Sequence, residues 1–235
     1  MQIRACLFDV FGTVVDWRAS VSRDLATWAK QKGIGGIDWL EFAVEWRKLY
    51  QPSMEEVRSG RRAFTILDVL HRESLDKLLA RYELKVSEAE AEHMNHAWHR
   101  LDPWPDVVSG LTRLKGKHII APCSNGNIAL MVNLAKRAGL PWDCILGAET
   151  ARAYKPMPDA YLRSCAQLGL PPAQVCMVAA HNADLKAAKA QGMKTAFVAR
   201  PTEHGPGQST DLTADPAGAD LSATDFVELA AKLGT

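Results

Sequence analysis

The chain has 235 residues, 47% of them hydrophobic, and a formal net charge of +1. A chain of this length can bury roughly 70% of its unfolded surface, enough for one large domain or for a core with a smaller insert. Because the chain is nearly neutral, it lacks the basic stripe that attracts nucleic acid or an anionic membrane, and we expect a small-molecule partner. Its five scattered cysteines have no metal-ligand spacing. No secretory signal or apolar run of roughly 18 residues is present, so we expect reduced cysteines in a soluble, cytoplasmic protein.

Short apolar runs alternate with amphipathic helical sequence along much of the chain. The runs are too short for helices and predict strands at residues 3–8, 118–123, 175–180 and 194–199. The helices predicted at residues 128–138, 159–168 and 183–191 end at Gly139, Gly169 and Gly192, as left-handed C-caps require. This alternation predicts an α/β fold with a parallel sheet.

Residues 16–99 differ from this pattern because they are almost continuously helical. Helices are predicted at residues 20–32, 39–50, 61–79 and 87–98. We therefore expect a helical cap domain at 16–99, inserted into a core formed by residues 1–15 and 100–235. Pro103 and Pro105 mark the return to the core. Residues 201–218 are rich in Gly, Pro, Thr and Asp and predict a surface loop, of a kind that also borders functional sites.

Asp9 closes the first predicted strand and opens the turn Asp9-Val10-Phe11-Gly12-Thr13. Open α/β sheets bind their ligands at the carboxyl ends of the strands, so this carboxylate is expected in the functional site. A carboxylate can act as a covalent nucleophile that divides one difficult displacement into two easier steps. Gly12 permits an unusual turn, and the Thr13 hydroxyl can orient the carboxylate.

Four short motifs occur in order along the chain: Asp9 to Thr13, Ser124-Asn125, Lys155-Pro156, and His181-Asn182-Ala183-Asp184. Together they resemble the motifs of the haloacid dehalogenase superfamily. The resemblance implies a Rossmann-like core with an inserted cap and a nucleophilic aspartate, Asp9. It also implies that Lys155 neutralises the clustered carboxylates, and that Asp184 orients Lys155 or the hydrolytic water.

Two departures indicate the branch of the superfamily. Phosphatases carry a general acid two residues after the nucleophile, where this chain has Phe11, and a metal-binding aspartate where it has Ala180. A halide leaving group needs no proton. The pattern resembles the 2-haloacid dehalogenases, which use neither a metal nor an organic cofactor and displace halide from a short carboxylic acid through an aspartyl ester. The resemblance implies release of the 2-hydroxy acid.

The resemblance extends to the substrate side of the site. Arg47, within Glu45-Trp46-Arg47, resembles the cap arginine that accepts the halide, and a fixed positive charge stabilises a departing anion. His181 stands where the better-known members have asparagine, and this variation resembles a haloacetate-type subgroup with defluorinating members. A histidine there can help to activate the water that cleaves the ester. The remaining residues predicted to contact substrate or halide are Val10 and Phe11 with their amides, Thr13, Ser124, Asn125, Tyr161 and Asn182.

Three other functions remain open at this stage. The same aspartate can open a strained ring that carries a carboxylate, but the amine leaving group then needs a proton donor. A magnesium-dependent phosphatase would lose its activity in EDTA. A binding protein on a decayed fold is disfavoured because Asp9, Lys155 and Asp184 all remain. The resemblance also suggests a homodimer that packs through the cap.

Overall fold

A parallel β-sheet forms the centre of the protein in the computed structural model, which describes residues 2–235. The strands are β1 (Ala5–Phe8), β2 (Val15–Asp16), β3 (Asp102–Pro103), β4 (Ile119–Ser124), β5 (Leu146–Gly147), β6 (Val175–Ala179), β7 (Lys194–Val198) and β8 (Leu221–Ala223). Six of them lie in the order β5-β4-β1-β6-β7-β8, and every neighbouring pair is parallel. The predicted α/β fold with a parallel sheet is confirmed.

Helices account for most of the remaining ordered chain. Those before β3 are α1 (Trp17–Lys32), α2 (Trp39–Lys48), α3 (Tyr50–Arg58), α4 (Leu67–Arg81), α5 (Glu88–Asn95) and a 3₁₀ turn at His96–His99. Those after β3 are α6 (Val107–Lys115), α7 (Ile128–Ala138), α8 (Ala148–Ala151), α9 (Pro158–Gln167), α10 (Asn182–Ala190), α11 (Phe226–Lys232) and a 3₁₀ turn at Pro172–Gln174. Within residues 2–235, no helix combines the length and the apolar character needed to cross a membrane.

The helical stretch between β2 and β3 leaves and rejoins the core at one place. β2 pairs antiparallel with β3, with Val15 opposite Pro103 and Asp16 opposite Asp102. The two ends of the stretch are therefore adjacent. The region that the sequence predicts as a cap enters and leaves beside the Asp9 turn.

The sheet is buried on both faces, as a parallel sheet with helices on either side requires. Every residue of β1 is inaccessible to solvent. Cys6 and Phe8 join a cluster that continues into α1, α2 and α4, whereas Ala5 and Leu7 pack on the other face with α9 and α10. Side chains alternate along the strand, so β1 joins both clusters and holds Asp9 rigidly.

The three predicted glycine caps are confirmed. Gly139, Gly169 and Gly192 have φ of 67°, 65° and 82°, in the left-handed region that glycine adopts without steric cost. Other helix boundaries differ from the prediction. The helix predicted at 39–50 is two helices divided at Leu49, and the one predicted at 61–79 begins only at Leu67. The two- and three-residue strands β5 and β8 were not predicted because such short runs have no measurable period.

Candidate active site

Asp9 lies directly after β1, with its amide bonded to the carbonyl of Val178 in the adjacent strand (2.9 Å). Three side chains contact its carboxylate. Thr13 Oγ1 donates to Oδ2 (2.7 Å), Lys155 Nζ donates to Oδ1 (2.9 Å), and His181 Nδ1 lies 3.0 Å from Oδ2. These contacts come from separate segments of the chain and hold the carboxylate in one orientation.

A cavity of about 940 Å³ opens above Asp9, between the core and the helices that precede β3. Eight of the twelve predicted site residues line it: Asp9, Phe11, Arg47, Asn125, Lys155, Tyr161, His181 and Asp184. The remaining four, Val10, Thr13, Ser124 and Asn182, do not appear in its wall. All four sequence motifs therefore contribute at least one residue to the same cavity.

The turn after Asp9 depends on glycine at position 12. Gly12 has φ +88°, and a Cβ atom there would lie 2.0 Å from Oε1 of Glu203. The Gly12 carbonyl accepts a hydrogen bond from Trp104 Nε1 (2.9 Å), and the Thr13 carbonyl accepts one from Arg200 Nε (2.9 Å). The predicted need for glycine is therefore explained by both the backbone conformation and the approach of a buried carboxylate.

Two main-chain amides that follow Asp9 are unpaired among the described residues, although Val10 and Phe11 are both buried and only Phe11 lines the cavity. The Val10 carbonyl accepts from the amides of Val14 and Val15, which closes the turn, but the amides of Val10 and Phe11 donate to no group within residues 2–235. The Val10 side chain is fully buried in the core. Any ligand contact at Val10 therefore involves its amide and not its side chain.

Thr13 forms a hydrogen bond to Asp9 but does not line the cavity. Its hydroxyl oxygen accepts the amide of Ala180 (2.9 Å), so its proton is directed to Asp9 Oδ2. The hydroxyl is fully committed to these two contacts. The structure does not support the predicted contact between Thr13 and substrate, and instead gives Thr13 the orienting role that the turn also suggested.

Lys155 links two of the buried carboxylates of the site, those of Asp9 and Asp184. Its Nζ contacts Asp9 Oδ1 and Asp184 Oδ2, and all three side chains are largely buried. Tyr161 donates to the other oxygen of Asp184 (2.6 Å). The Tyr161 hydroxyl, predicted as a substrate contact, is therefore engaged in fixing Asp184.

His181 lies between two carboxylates. Nδ1 faces Asp9 Oδ2, and Nε2 lies 2.8 Å from Oε2 of Glu203. Glu203 is 1% exposed and also accepts from Trp17 Nε1 (3.0 Å). A neutral imidazole has only one N–H and would direct a lone pair at one of the two carboxylates, so both contacts are satisfied only by the imidazolium ion.

The electrostatics of the site agree with this charge assignment. Burial acts against protonation of His181, but hydrogen bonds to Asp9 and Glu203 and their charges hold its pKa well above the usual value. Burial would also raise the pKa of Asp9, and the charge of Lys155 and the contacts with His181 lower it instead. The pKa of Lys155 is raised because Asp184 and Asp9 outweigh its burial. Asp9 is thus an anion and His181 and Lys155 are cations at neutral pH.

Arg47 lines the same cavity as Asp9 and lies within an aromatic wall. Its guanidinium carbon lies 4.0 Å from the ring centre of Tyr50, 5.3 Å from that of Trp17 and 5.7 Å from that of Phe11. Its Nη1 is buried and has no hydrogen-bond partner within residues 2–235. A fixed cation with an unused donor beside a cavity is suited to bind an anion.

The motif at Ser124-Asn125 contributes through Asn125. Asn125 Oδ1 accepts the amide of Lys155 (2.9 Å), and Nδ2 donates to the Tyr50 hydroxyl (3.0 Å), which leaves one amide hydrogen for a ligand. Ser124 Oγ instead accepts the amide of Gly126 (3.0 Å) and is completely buried. The predicted substrate contact at Ser124 is not supported, because its side chain closes the turn that positions Asn125.

Asn182 is directed away from Asp9. Its Nδ2 donates to the carbonyl of Thr213 (2.9 Å), and its Oδ1 accepts the amide of Asp215 (2.8 Å). The structure therefore gives no support to the predicted contact between Asn182 and substrate. Asn182 is the first residue of α10, and its side chain ties the loop before β8 to the core.

Sequence reasoning missed several residues that complete the cavity, chiefly Glu203, His204, Trp17 and Tyr50. Ligand atoms of His181, Glu203 and His204 lie within 4.8 Å of one another and are the candidate metal-ligating group in the part of the chain that the structure describes. Two of the three are hydrogen-bonded to each other, and His181 also contacts Asp9. At the positions where the phosphatase pattern places its acids, the hydrocarbon side chains of Phe11 and Ala180 offer no ligand.

Comparison with known proteins identifies the family of this chain. The family model of the haloacid dehalogenase-like hydrolases matches residues 3–192. (S)-2-haloacid dehalogenase 4A of Burkholderia cepacia is 29% identical over 202 residues, which cover 85% of this chain and 84% of that protein. Haloacetate dehalogenase H-2 of Moraxella sp. (strain B) is 25% identical over 202 residues, which cover 85% of this chain and 87% of that protein. The crystal structure of the defluorinating L-2-haloacid dehalogenase Rha0230 is 48% identical, with a TM-score of 0.96 over 99% of this chain and 96% of that one. The chain therefore belongs to the haloacid dehalogenase-like hydrolases, in the 2-haloacid dehalogenase branch.

Proposed function

We propose that this protein hydrolyses short 2-haloalkanoic acids, haloacetates among them, to the 2-hydroxy acid and halide. The observation that carries the proposal is the arrangement of charge in the cavity. An anionic Asp9, held by three donors, shares the cavity with Arg47, whose Nη1 has no hydrogen-bond partner among residues 2–235. With substrate between them, Asp9 would attack the halogen-bearing carbon and Arg47 would bind the departing halide.

In the first step, Asp9 attacks the halogen-bearing carbon. The carbon–halogen bond breaks, its electron pair leaves with the halide, and an ester forms between Asp9 and the substrate. Arg47 binds the halide more strongly as charge develops on it, so the interaction is greater in the transition state than in the bound substrate. The aromatic rings of Phe11, Trp17 and Tyr50 limit the access of water to that anion.

The substrate carboxylate needs donors close to Asp9. The candidate donors are the remaining amide hydrogen of Asn125 and the amides of Val10 and Phe11, which are unpaired among residues 2–235. Contacts from the turn that carries Asp9 fix the halogen-bearing carbon relative to the nucleophile. We therefore expect activity on halogenated acids in preference to neutral haloalkanes.

In the second step, water cleaves the ester. Asp184 is the candidate base because it lines the cavity and its carboxylate is fixed by Lys155 and Tyr161. Water transfers one proton to Asp184, and its oxygen adds to the ester carbon. When the intermediate collapses, the alkoxide leaves and takes that proton, and the new Asp9 carboxyl group releases its own to solvent. The products are the 2-hydroxy acid, halide and one proton.

A phosphatase is disfavoured by the chemistry of the side chains. Phe11 cannot protonate a leaving alkoxide, and Ala180 cannot bind the cation that a phosphate dianion requires. We include fluoride among the halogens to be tested because the solved relative with 48% identity is described as defluorinating. Carbon–fluorine cleavage depends on donor placement to within about half an ångström, so its rate is a separate measurement.

The proposal is tested by halide release from fluoro-, chloro- and bromoacetate and from both enantiomers of 2-chloropropionate, with EDTA present throughout. We expect release from at least chloro- and bromoacetate, without inhibition by EDTA, and none above background from Asp9→Asn. Absence of halide release from every acid would refute the proposal. Activity on a phosphate ester that EDTA abolishes would favour the phosphatase.

A further inference from the structure

The hydrogen bonds of Asp9 distinguish its two oxygens. Oδ2 accepts from both Thr13 Oγ1 (2.7 Å) and His181 Nδ1 (3.0 Å), whereas Oδ1 accepts only from Lys155 Nζ (2.9 Å) among the described residues. A carboxylate oxygen has two lone-pair positions in its plane, so those of Oδ2 are both occupied. Oδ1 retains one and is the oxygen that can attack substrate.

This assignment determines what the donors on Oδ2 do after the ester has formed. If Oδ1 becomes the ester oxygen, Oδ2 becomes its carbonyl oxygen, already in contact with Thr13 and His181. When water adds to the ester carbon, the carbonyl electron pair moves onto Oδ2. Donors fixed at the atom where negative charge develops stabilise that transition state.

The charge of His181 in the ester depends on Glu203. In the free enzyme the imidazolium has two anionic neighbours, Asp9 and Glu203. Formation of the ester neutralises Asp9, so that Glu203 is the one carboxylate among the described residues that remains bonded to the ring. Burial of Glu203 would favour its neutral form, but the bond with His181 and the charge of that ring keep its pKa below the usual value.

Glu203 is held independently of His181. Its Oε1 accepts from Trp17 Nε1 (3.0 Å), and its carboxylate occupies the space left by the absent side chain of Gly12. The loop that carries it is anchored by Arg200, which donates to the Thr13 carbonyl and to both oxygens of Asp106 (2.8 Å each). The Glu203 carboxylate thus keeps its place when Asp9 changes charge.

We infer that Thr13 and His181 form the oxyanion hole for hydrolysis of the ester, and that Glu203 is the positioning residue that keeps His181 protonated in that intermediate. The inference rests on the proposed function, because it concerns the second step of that reaction. Glu203 lies in a loop outside the four sequence motifs. Glu203 is needed chiefly for hydrolysis of the ester and much less for its formation, so a change at this residue should affect the two steps differently.

The test compares the variant Glu203→Gln (E203Q) with the wild type in quenched-flow halide release from chloroacetate, between about pH 6 and pH 9. In E203Q we expect a rapid burst of halide followed by a steady rate lowered about 10²-fold near pH 9. Intact-mass spectrometry of the quenched protein should show the accumulated ester. The steady rate should recover toward pH 6, where the imidazole is protonated again, whereas the wild type should lack this dependence.

Two further variants separate this role from a merely structural one. Glu228→Gln makes the same change at a partly exposed glutamate of α11 that contacts Lys232 and Thr224 outside the cavity, and it should produce neither the burst nor the new pH dependence. Glu203→Asp keeps the charge and should restore the pH profile of the wild type. If E203Q has the wild-type rate and profile, or loses activity without accumulating ester, the inference is wrong.

If E203Q does not fold, His181→Asn provides the same test. Its amide can still donate to Oδ2 but carries no charge, so the ester should accumulate, and a lower pH should not restore the rate. Hydrolysis of the ester at the wild-type rate in H181N would overturn the inference. Failure of the proposed function gives a different result, namely no halide from the wild-type enzyme with any of the acids.

Discussion

Replacement of Arg47 by methionine removes the cation that is proposed to accept the halide. The guanidinium lies against Tyr50, Trp17 and Phe11, and one of its nitrogens is buried without a partner among residues 2–235. A halide about 4 Å from this charge interacts with it by about 4 kcal/mol at an effective dielectric constant of about 20. In the variant, water that enters the open cavity would replace part of this charge interaction. We therefore expect Arg47→Met to lose about 2–4 kcal/mol of transition-state stabilisation, which lowers kcat/KM roughly 30- to 10³-fold.

The dependence on the leaving group separates binding of halide from binding of the substrate carboxylate. Bromide departs with less charge transfer in the transition state than chloride, so Arg47→Met should impair chloroacetate more than bromoacetate. Arg47→Lys keeps the charge but loses the planar donors and the stacking on Tyr50, which costs about 1 kcal/mol.

The assay is initial-rate halide release, with Arg61→Met as the control, since Arg61 is an exposed arginine of the same helical region that forms an ion pair with Glu56. Equal losses for both haloacetates would place Arg47 on the substrate carboxylate. Wild-type rates in Arg47→Met would refute the assigned role altogether.

Three other substitutions test the supports of the site. Lys155→Met leaves the two buried carboxylates that Lys155 contacts without a counter-ion. Halide release should therefore fall to background, and the free energy of unfolding, measured with denaturant, should fall by about 3 kcal/mol or more. Asp106→Ala removes the carboxylate that pairs with the buried Arg200. The free energy of unfolding should fall by about 3 kcal/mol, which lowers Tm by roughly 6–12 °C in a thermal scan. Gly12→Ala places a methyl group on the Glu203 carboxylate at φ +88°, so steady-state halide release should fall about 10²-fold, and an unchanged rate would show that the carboxylate can move without consequence.

The sequence is sufficient to predict the sheet and the centre of the site. Strands with a strong apolar signal are recognisable, and parallel strands necessarily bring their carboxyl ends to one edge of the sheet. Asp9, Lys155, His181 and Asp184 therefore converge even though they are far apart in the chain. This part of the prediction depends on topology and not on side-chain detail.

The direction of individual side chains is less predictable. Asn182 belongs to a recognisable motif, but the loop before β8 offers it two backbone partners, and its side chain turns away from the cavity. Ser124 is similarly used by the adjacent turn. A motif position locates the backbone, whereas the side chain contacts whichever partners the tertiary structure brings near.

Glu203 escapes prediction for a different reason. It lies in a segment rich in glycine and proline whose composition predicts an exposed loop, yet its side chain is almost completely buried. Its partners Gly12, Trp17 and His181 are distant in sequence. The one available signal is the substitution of histidine for asparagine at position 181, because a buried imidazolium requires a second acid. The cap boundaries, the cytoplasmic location and the homodimer stay predictions.

The origin of the product oxygen tests the central claim, that Asp9 is a covalent nucleophile. A single turnover of chloroacetate is carried out in ¹⁸O-water with enzyme in excess, and both the glycolate and the peptide containing Asp9 are analysed by mass spectrometry. The account predicts unlabelled hydroxyl oxygen in the glycolate, because it comes from Asp9, and one ¹⁸O atom in the Asp9 carboxylate. Label in the glycolate hydroxyl after this first turnover, with none in Asp9, would mean that water attacks the substrate directly and would contradict the account.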